Sequence, residues 1–431
     1  MSNETLTLFP NITSGDAGTA ITLRPYQKEC IEKIIWDLGV AGNSLCVIPT
    51  GGGKSVIIAE AVRAYGNPTL IIQPSKEILE QNYAKLLRYV SKSDIGIYSA
   101  SMGEKEIGRY TFATIQSIYQ NPEFFSHFKL VIIDEAHGLN PKSLGGMFTK
   151  FLKAIGNPKV IGFTATPYRL DSMYVDWGMP EARIVTTIKL INRMKGFFWG
   201  RILYNLSMKE LIDAGYLCAP HYIDASVIEQ HEIPLNKSNS EFDTTKFDIL
   251  MESREEKLLK AVKYAESCSK SVLIFCSSVY QAEKMKSKVA GSAIITAKTQ
   301  RRIREKIIRD FKEHKLRTVF NVGVLTQGFD HPSLDCIILM RPTRSIMLYV
   351  QMVGRGVRIA EGKIACKVID LTSTIKNMGR VETIRLHKES GEKWELVSET
   401  GSWHAKELYS FSIDKFVDVP VQKLDPNELP F

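Results

Sequence analysis

Leu45-Cys46-Val47-Ile48-Pro49-Thr50-Gly51-Gly52-Gly53-Lys54-Ser55 is the stretch that decides how this 431-residue chain is read. Four apolar residues of strand type run into a proline, a threonine and three glycines, and the helical pattern Val56–Ala64 follows. Glycine lacks the Cβ that keeps a backbone away from an anion, so Thr50, Gly51, Gly52 and Gly53 form a loop able to wrap a phosphate. The free amides at the start of the next helix face the same anion. Lys54 supplies a point charge for the β- and γ-phosphates, and the Ser55 hydroxyl is a magnesium ligand. Ile48 stands where the full GxxxxGK[ST] spacing has its first glycine, so the match covers only the end of that pattern.

Val131-Ile132-Ile133-Asp134-Glu135-Ala136-His137 gives the loop its chemistry. An apolar strand ending in adjacent carboxylates is what Mg·ATP needs at the carboxyl edge of a parallel sheet. Asp134 is the magnesium ligand in this reading, and Glu135 the general base that polarises water. The plainer alternative is a solvated strand end. It loses weight because the glycine loop lies upstream in the same chain.

Strand-sized apolar runs alternate with helical stretches along the chain, which predicts an α/β fold with parallel sheets. The first series comprises Leu45–Ile48, Thr69–Gln73, Tyr110–Ala113, Leu130–Ile133 and Val160–Phe163. The second comprises His221–Ala225, Val272–Cys276, Ala293–Thr296, Thr318–Asn321, Cys336–Leu339 and Lys367–Leu371. Two such series imply two domains, 21–215 and 216–375, after an N-terminal tail, 1–20. Asp171–Gly215 reads as a less regular link, and Gln230–Lys246 as a polar, mobile loop. Beyond Lys376 the alternation of polar and apolar residues suggests a small β-rich appendage and tail, 376–431, with Trp394 and Trp403.

Composition narrows the field further. Hydrophobic residues make up 44% and charged residues 24%, as in a globular protein of two or three domains. No apolar run approaches the ~20 residues of a membrane span, so no membrane partner is expected. The polar N-terminus has the character of neither a signal nor a transit peptide. Seven cysteines stand singly without a CxxC pair, which argues against zinc or disulfides and fits a cytoplasmic protein. The net charge of +9 suits a polyanionic partner, and equally an ordinary solvated surface.

These motifs do not stand alone. Leu23-Arg24-Pro25-Tyr26-Gln27, Thr164-Ala165-Thr166-Pro167, Gly323–Asp330 (GVLTQGFD) and Gln351–Arg358 (QMVGRGVR) follow in order. Together, over Leu23–Arg358, they resemble superfamily 2 helicases of the DEAH-box type. The resemblance implies two RecA-like P-loop domains with ATP and Mg²⁺ between them. It implies that Arg24 and Gln27 belong to the adenine site, Gln27 through its amide. It places Asp330 and Gln351 beside the nucleotide and makes Arg355 and Arg358 arginine fingers, Arg358 the nearer to the γ-phosphate. Residues 351, 355 and 358 have helical spacing, which predicts one shared helix face. His137, Thr164 and Thr166 are implied to couple hydrolysis to movement. Both halves of the site lie in one chain, so a monomer is expected.

The family also places a nucleic-acid strand across both domains. Candidate contacts are Pro74, Ser75, Lys76, Thr114, Gln116 and Ser117 in the first, and Ser277, Ser278, Thr326 and Gln327 in the second. Small polar side chains after strands suit backbone contacts that carry no sequence information. Lys298–Arg317 holds nine basic and three acidic residues. Its apolar positions Ile303, Ile307, Ile308 and Phe311 predict one buried helix face, leaving a basic face for a second DNA arm or for solvent. Phe197-Phe198-Trp199 reads as core rather than as a strand-separating wedge. LRPYQ, TATPYRLD, GFDHP and QMVGRGVR look most like DNA repair and recombination motors, RadD-like proteins and phage UvsW-like branch-migration helicases, although the paired cysteines of RadD-like proteins are missing. The expectation is 3′→5′ translocation on forked or branched DNA. An RNA helicase and a duplex translocase of a restriction-type complex are the rivals. A non-catalytic loading or scaffold protein that uses ATP only as a clamp is a third, which intact Lys54, Glu135 and Arg358 argue against. The acidic, Phe-terminated tail Leu424–Phe431 resembles the tips by which bacterial single-strand-binding proteins recruit repair enzymes, which implies docking on a replication or single-strand-binding protein. A frayed end is the plainer reading.

Overall fold

Continuous β-branched runs bury both faces, and here they build two parallel sheets with helices on either side. The structure is a computed structural model, and it describes residues 22–139, 146–175, 183–191, 198–238, 240–326, 328–388, 395–403 and 422–423. The N-terminal tail, Met194–Phe197, Gln327, Trp394 and Leu424–Phe431 lie outside the described residues.

The first sheet has eight strands in the spatial order Trp199–Asn205, Asn43–Val47, Lys159–Thr164, Leu130–Asp134, Thr69–Gln73, Tyr110–Thr114, Ile95–Ser99 and Glu104–Lys105. Only the last pair is antiparallel. Val47 pairs with Thr164, and Asp134 with Phe163. The glycine loop, the carboxylates and Thr164 therefore emerge side by side from the same edge of the sheet, where α/β proteins bind ligands.

The second sheet has seven parallel strands in the order Ala293–Ile295, Thr318–Asn321, Val272–Cys276, Cys336–Met340, Cys366–Asp370, Pro220–Asp224 and Gln422–Lys423. Arg385–His387, Glu395–Ser398 and Gly401–Trp403 form a small antiparallel sheet. It does not hang free. Val381, Ile384, Leu386 and Leu396 pack with Pro167, Tyr168, Leu206 and Met208 of the first half and with Val350 of the second.

Several expectations need correction. The described residues of Asp171–Gly215 are more regular than expected: Tyr168–Val175 and Arg183–Leu190 pair as antiparallel strands, and Trp199–Asn205 is the edge strand of the first sheet. Gln230–Lys246 is pinned by buried Ile233 and Phe242 and by a bridge from Leu235 to Phe242, and a helix starts at Thr244. Its apolar residues are too few and too spaced to have signalled this. Ile303 is 50% exposed rather than part of the buried face of helix Arg301–Lys312, which rests on Phe311.

Trp199 is core, at 1% exposure. Its ring fills the space over Gly162, where a Cβ would lie 2.4 Å from Cη2. The neighbouring Arg201 is held inward as well: it and Lys159 each lie 2.8 Å from the buried Asp37 carboxylate. Trp199→Ala is expected to destabilise the fold by about 3–5 kcal/mol, read as a lower urea midpoint at unchanged slope. Among the described residues no helix is long and apolar enough to cross a membrane.

Candidate nucleotide site between the two sheets

Gly51 and Gly53 adopt φ of +83° and +77°, a region that only glycine enters cheaply. Gly53 caps helix Lys54–Tyr65, so the first free amides of that helix open onto the loop. A Cβ on Gly52 would sit 2.8 Å from Ile48 Cγ2, and one on Gly53 2.6 Å from Gln27 Nε2. The loop is thus folded tightly over Ile48, the fully buried residue that replaces the expected glycine, and against Gln27.

Gln27 is 4% exposed, and its Oε1 accepts the Arg24 N–H at 2.9 Å. Tyr26 donates its hydroxyl to Gly52 O at 2.9 Å. The Arg24 guanidinium stands 4.4 Å from the centre of the Tyr216 ring, which lies 5.6 Å from the Tyr26 ring. Tyr216 was not singled out from the sequence, and nothing local marks it. It arrives by the turn after helix Met208–Asp213.

A chain of polar contacts runs inward from the loop. Lys54 Nζ is 3.3 Å from Glu135 Oε1, and Glu135 Oε2 is 3.3 Å from His137 Nδ1. The same His137 nitrogen lies 3.0 Å from Thr164 Oγ1 and 3.4 Å from Thr166 Oγ1. Thr164 Oγ1 also accepts the Thr166 N–H at 3.0 Å. Glu135 has φ +50°, a strained value for a non-glycine residue, which turns its side chain back toward Lys54. Burial opposes its charge, but Lys54 and His137 outweigh that and hold its carboxyl well below the usual range. Burial and the Glu135 charge push Asp134 the other way, to about 6, against the pull of Lys54 and of Asn82. Both carboxyls are largely buried and tied to a lysine, a histidine and an asparagine, so they are not a solvated strand end and make a candidate site.

The second half closes over this arrangement. Gly354 packs on Thr50, with a Cβ position 2.9 Å from Thr50 Cβ, and the Arg358 Cγ lies 3.6 Å from the Cβ position of Gly51. Arg355 Nη1 donates to Phe329 O at 2.8 Å, Arg358 Nη1 to the same carbonyl at 3.4 Å, and Arg358 pairs with Asp330. Burial and the neighbouring Arg358 lower Arg355 to about 10, which leaves it charged. The predicted shared helix face is wrong in its cause. Helix Ile346–Val353 ends before either arginine, and it is Phe329 O that gathers them. Gln351, on that helix, is 6% exposed.

His331, next in the same loop, is 2% exposed among the rings of Phe311, Phe329 and His314. Burial lowers it to about 4. A folded-state value below the unfolded ~6.5 means stability that is full above pH ~6.5 and lost as pH falls toward 4. His331→Asn is expected to flatten that acid slope, measured by urea unfolding at stepped pH against the unsubstituted protein.

Residues 20–169 match the family described as "Type III restriction enzyme, res subunit", and residues 253–360 match the "Helicase conserved C-terminal domain". Together these cover more than half of the chain. The chain belongs to the superfamily 2 helicases. Among relatives of this helicase, "Putative ATP-dependent helicase IRC3" of Saccharomyces cerevisiae is 26% identical over 379 residues, 82% of this chain and 52% of that protein. The chain therefore spans about half of that relative's length. "DNA 3'-5' translocase XPB2" of Sulfurisphaera tokodaii is 23% identical over 372 residues, 78% of this chain and 79% of that one. Among solved structures, the Type ISP restriction-modification enzyme LlaBIII bound to DNA shares the fold at a TM-score of 0.57 and 14% identity, covering 82% of this helicase and 28% of that chain.

The candidate strand contacts of the helicase lie at the carboxyl edges of both sheets. Ser75 and Ser278 cap the helices Lys76–Leu86 and Val279–Lys286. Lys76 reaches Ser101 O at 3.0 Å. Thr114 and Ser117 hydroxyls are 2.8 Å apart, Ser117 accepts the Ala100 N–H, and Gln116 is exposed. Pro74 precedes Ser75, and Thr326 is half-buried in the loop after strand Thr318–Asn321. Ser277 is drawn inward: its hydroxyl donates to Asp248 Oδ1 at 2.8 Å and its N–H to Gln281 Oε1 at 3.0 Å.

Proposed function

We propose that this helicase hydrolyses Mg·ATP between the Lys54 loop and the Arg355–Arg358 turn, and uses the cycle to translocate 3′→5′ on DNA, unwinding or branch-migrating forks and junctions. The observation that carries the reading is the unbroken path Lys54–Glu135–His137–Thr164, with Arg358 laid against Gly51 from the other half.

The residues present suit the nucleotide and its metal. Three glycines leave a cradle that any Cβ would fill, and Ser55 and Asp134 offer the hard oxygen donors that Mg²⁺ prefers. Bound there, Mg²⁺ neutralises phosphate charge. Lys54 binds the phosphates and, in moving to them, releases Glu135 from its ion pair and restores its basicity. Glu135 then takes a proton from the attacking water. His137 holds Glu135 on one side and Thr164 on the other, so it passes the state of the site to the Thr164–Thr166 turn. Arg355 and Arg358 offset charge building on the transferred phosphoryl group, and they do so only when the halves meet. Arg24, Gln27 and the Tyr26–Tyr216 pair form the base pocket, while Ser75, Lys76, Thr114, Gln116, Ser117, Ser278 and Thr326 touch the strand. Ser277 serves by fixing Ser278.

DNA is preferred because a relative aligned over most of both chains is described as a DNA 3'-5' translocase. Strand displacement on matched forked DNA, four-way junction DNA and duplex RNA tests this. Release of DNA strands with ATP is the expected result. Release of RNA alone overturns the DNA assignment, and hydrolysis without any release leaves a duplex translocase.

A further inference from the structure

Helix Lys76–Leu86 lies between the candidate strand contacts at its start, the Asp134 carboxylate and the Gly328 loop, and two adjacent residues on it make contacts that the reading above does not use. Asn82 is 2% exposed, and its Nδ2 donates to Asp134 Oδ2 at 2.9 Å, while Asp134 Oδ1 accepts the Glu135 N–H, also at 2.9 Å. Both carboxylate oxygens are thereby fixed. One is held by the backbone of its own strand end, the other by a helix from outside. Gln81, the preceding residue, sends its Nε2 across the cleft to Gly328 O at 2.5 Å. Gly328 has φ +68°, and a Cβ there would meet Glu77 Cβ at 3.0 Å, so the second half seats directly on this helix. The next residue, Phe329, offers the carbonyl that gathers Arg355 and Arg358, and Asp330 pairs with Arg358. At the other end the helix begins at Ser75 and Lys76, two of the candidate strand contacts.

We infer that Asn82 is a positioning residue for the Asp134 carboxylate, and that Gln81 ties its helix to the Gly328–Asp330 loop, so that strand engagement and cleft closure are felt at the metal-binding carboxylate through helix Lys76–Leu86. The inference rests on the proposed ATP site. A rigid helix carries the effect: Gln81 and Asn82 are neighbours, so a displacement that brings Gly328 onto Gln81 moves the Asn82 amide with it. Asp134 is buried, and its orientation depends on a donor that a shift of under an ångström would misalign. Groups that orient a metal ligand commonly contribute 10–100-fold to metal affinity or activity.

The test is ADP affinity by calorimetry with and without Mg²⁺, for the full chain and for Asn82→Ala, Asn82→Asp and Gln81→Ala, with a thermal melt of each. The unsubstituted protein is expected to bind ADP more tightly with Mg²⁺. Asn82→Ala is expected to lose about tenfold of that gain while binding metal-free ADP as before, a pattern that general loosening does not produce. Asn82→Asp, nearly the same size, keeps the question open if the alanine variant fails to fold, and its added negative charge likewise perturbs the Mg²⁺-dependent gain without altering metal-free binding. For Gln81→Ala the loss is expected in nucleic-acid stimulation of turnover, and the double variant with Asn82→Ala is expected to be less than additive. A Mg²⁺ gain unchanged in both Asn82 variants overturns the inference and leaves the ATP site standing. No Mg²⁺-dependent binding in the unsubstituted protein overturns the ATP site itself.

Discussion

Lys54→Ala is expected to lower ATP turnover by about 10²–10³-fold or more, the loss typical of removing a charge aimed at the transition state. The lysine has two duties. It is the cation that meets the phosphates, and it is the partner, at 3.3 Å, that helps keep the buried Glu135 charged. Without it, the phosphates lose their cation, and Glu135 is no longer held charged and switched by an ion pair that yields only when nucleotide binds. The check is kcat and the ADP dissociation constant side by side, and both are expected to suffer. Turnover within about tenfold of the unsubstituted protein would place the phosphate site elsewhere.

Arg358→Ala is expected to cost about 10³-fold in turnover, the lower end for an arginine finger, with little change in melting temperature. Its ion pair is with Asp330, which is 52% exposed, and such pairs contribute about 0–1 kcal/mol to stability. Arg355→Ala is expected to differ. That side chain is buried and makes the shorter of the two bonds to Phe329 O, so its removal leaves that carbonyl only the 3.4 Å contact from Arg358 and loosens the turn, costing stability as well as rate. Turnover and thermal melts of the two variants separate the roles. If Arg355→Ala alone slows hydrolysis, the order assigned to the two arginines is reversed.

How much of this was legible beforehand depends on how local the cause is. Strands such as Thr69–Gln73, Val272–Cys276 and Thr318–Asn321 are buried on both faces, so their composition alone marks them. Trp199–Asn205 was hidden because this edge strand is only partly buried and is broken by a glycine and by polar residues, Gly200, Arg201 and Asn205. The glycine loop and the Asp134–Glu135 pair could be read because backbone freedom and paired carboxylates are chemical signatures within a few residues. Asn82 and Tyr216 could not. Each is an ordinary residue on a helix or turn, and only the fold brings it to a site whose other members lie far away in sequence. The helical spacing of Gln351, Arg355 and Arg358 shows the opposite failure. The spacing is real, but Gly354 ends the helix first, and the arginines converge through Phe329 O instead.

The most direct test of a closing two-part ATP site is steady-state hydrolysis by the full chain with and without forked DNA, beside Arg358→Ala. The account predicts strong stimulation by DNA that the variant lacks. Hydrolysis equally fast without nucleic acid, or stimulation retained in Arg358→Ala, would contradict it.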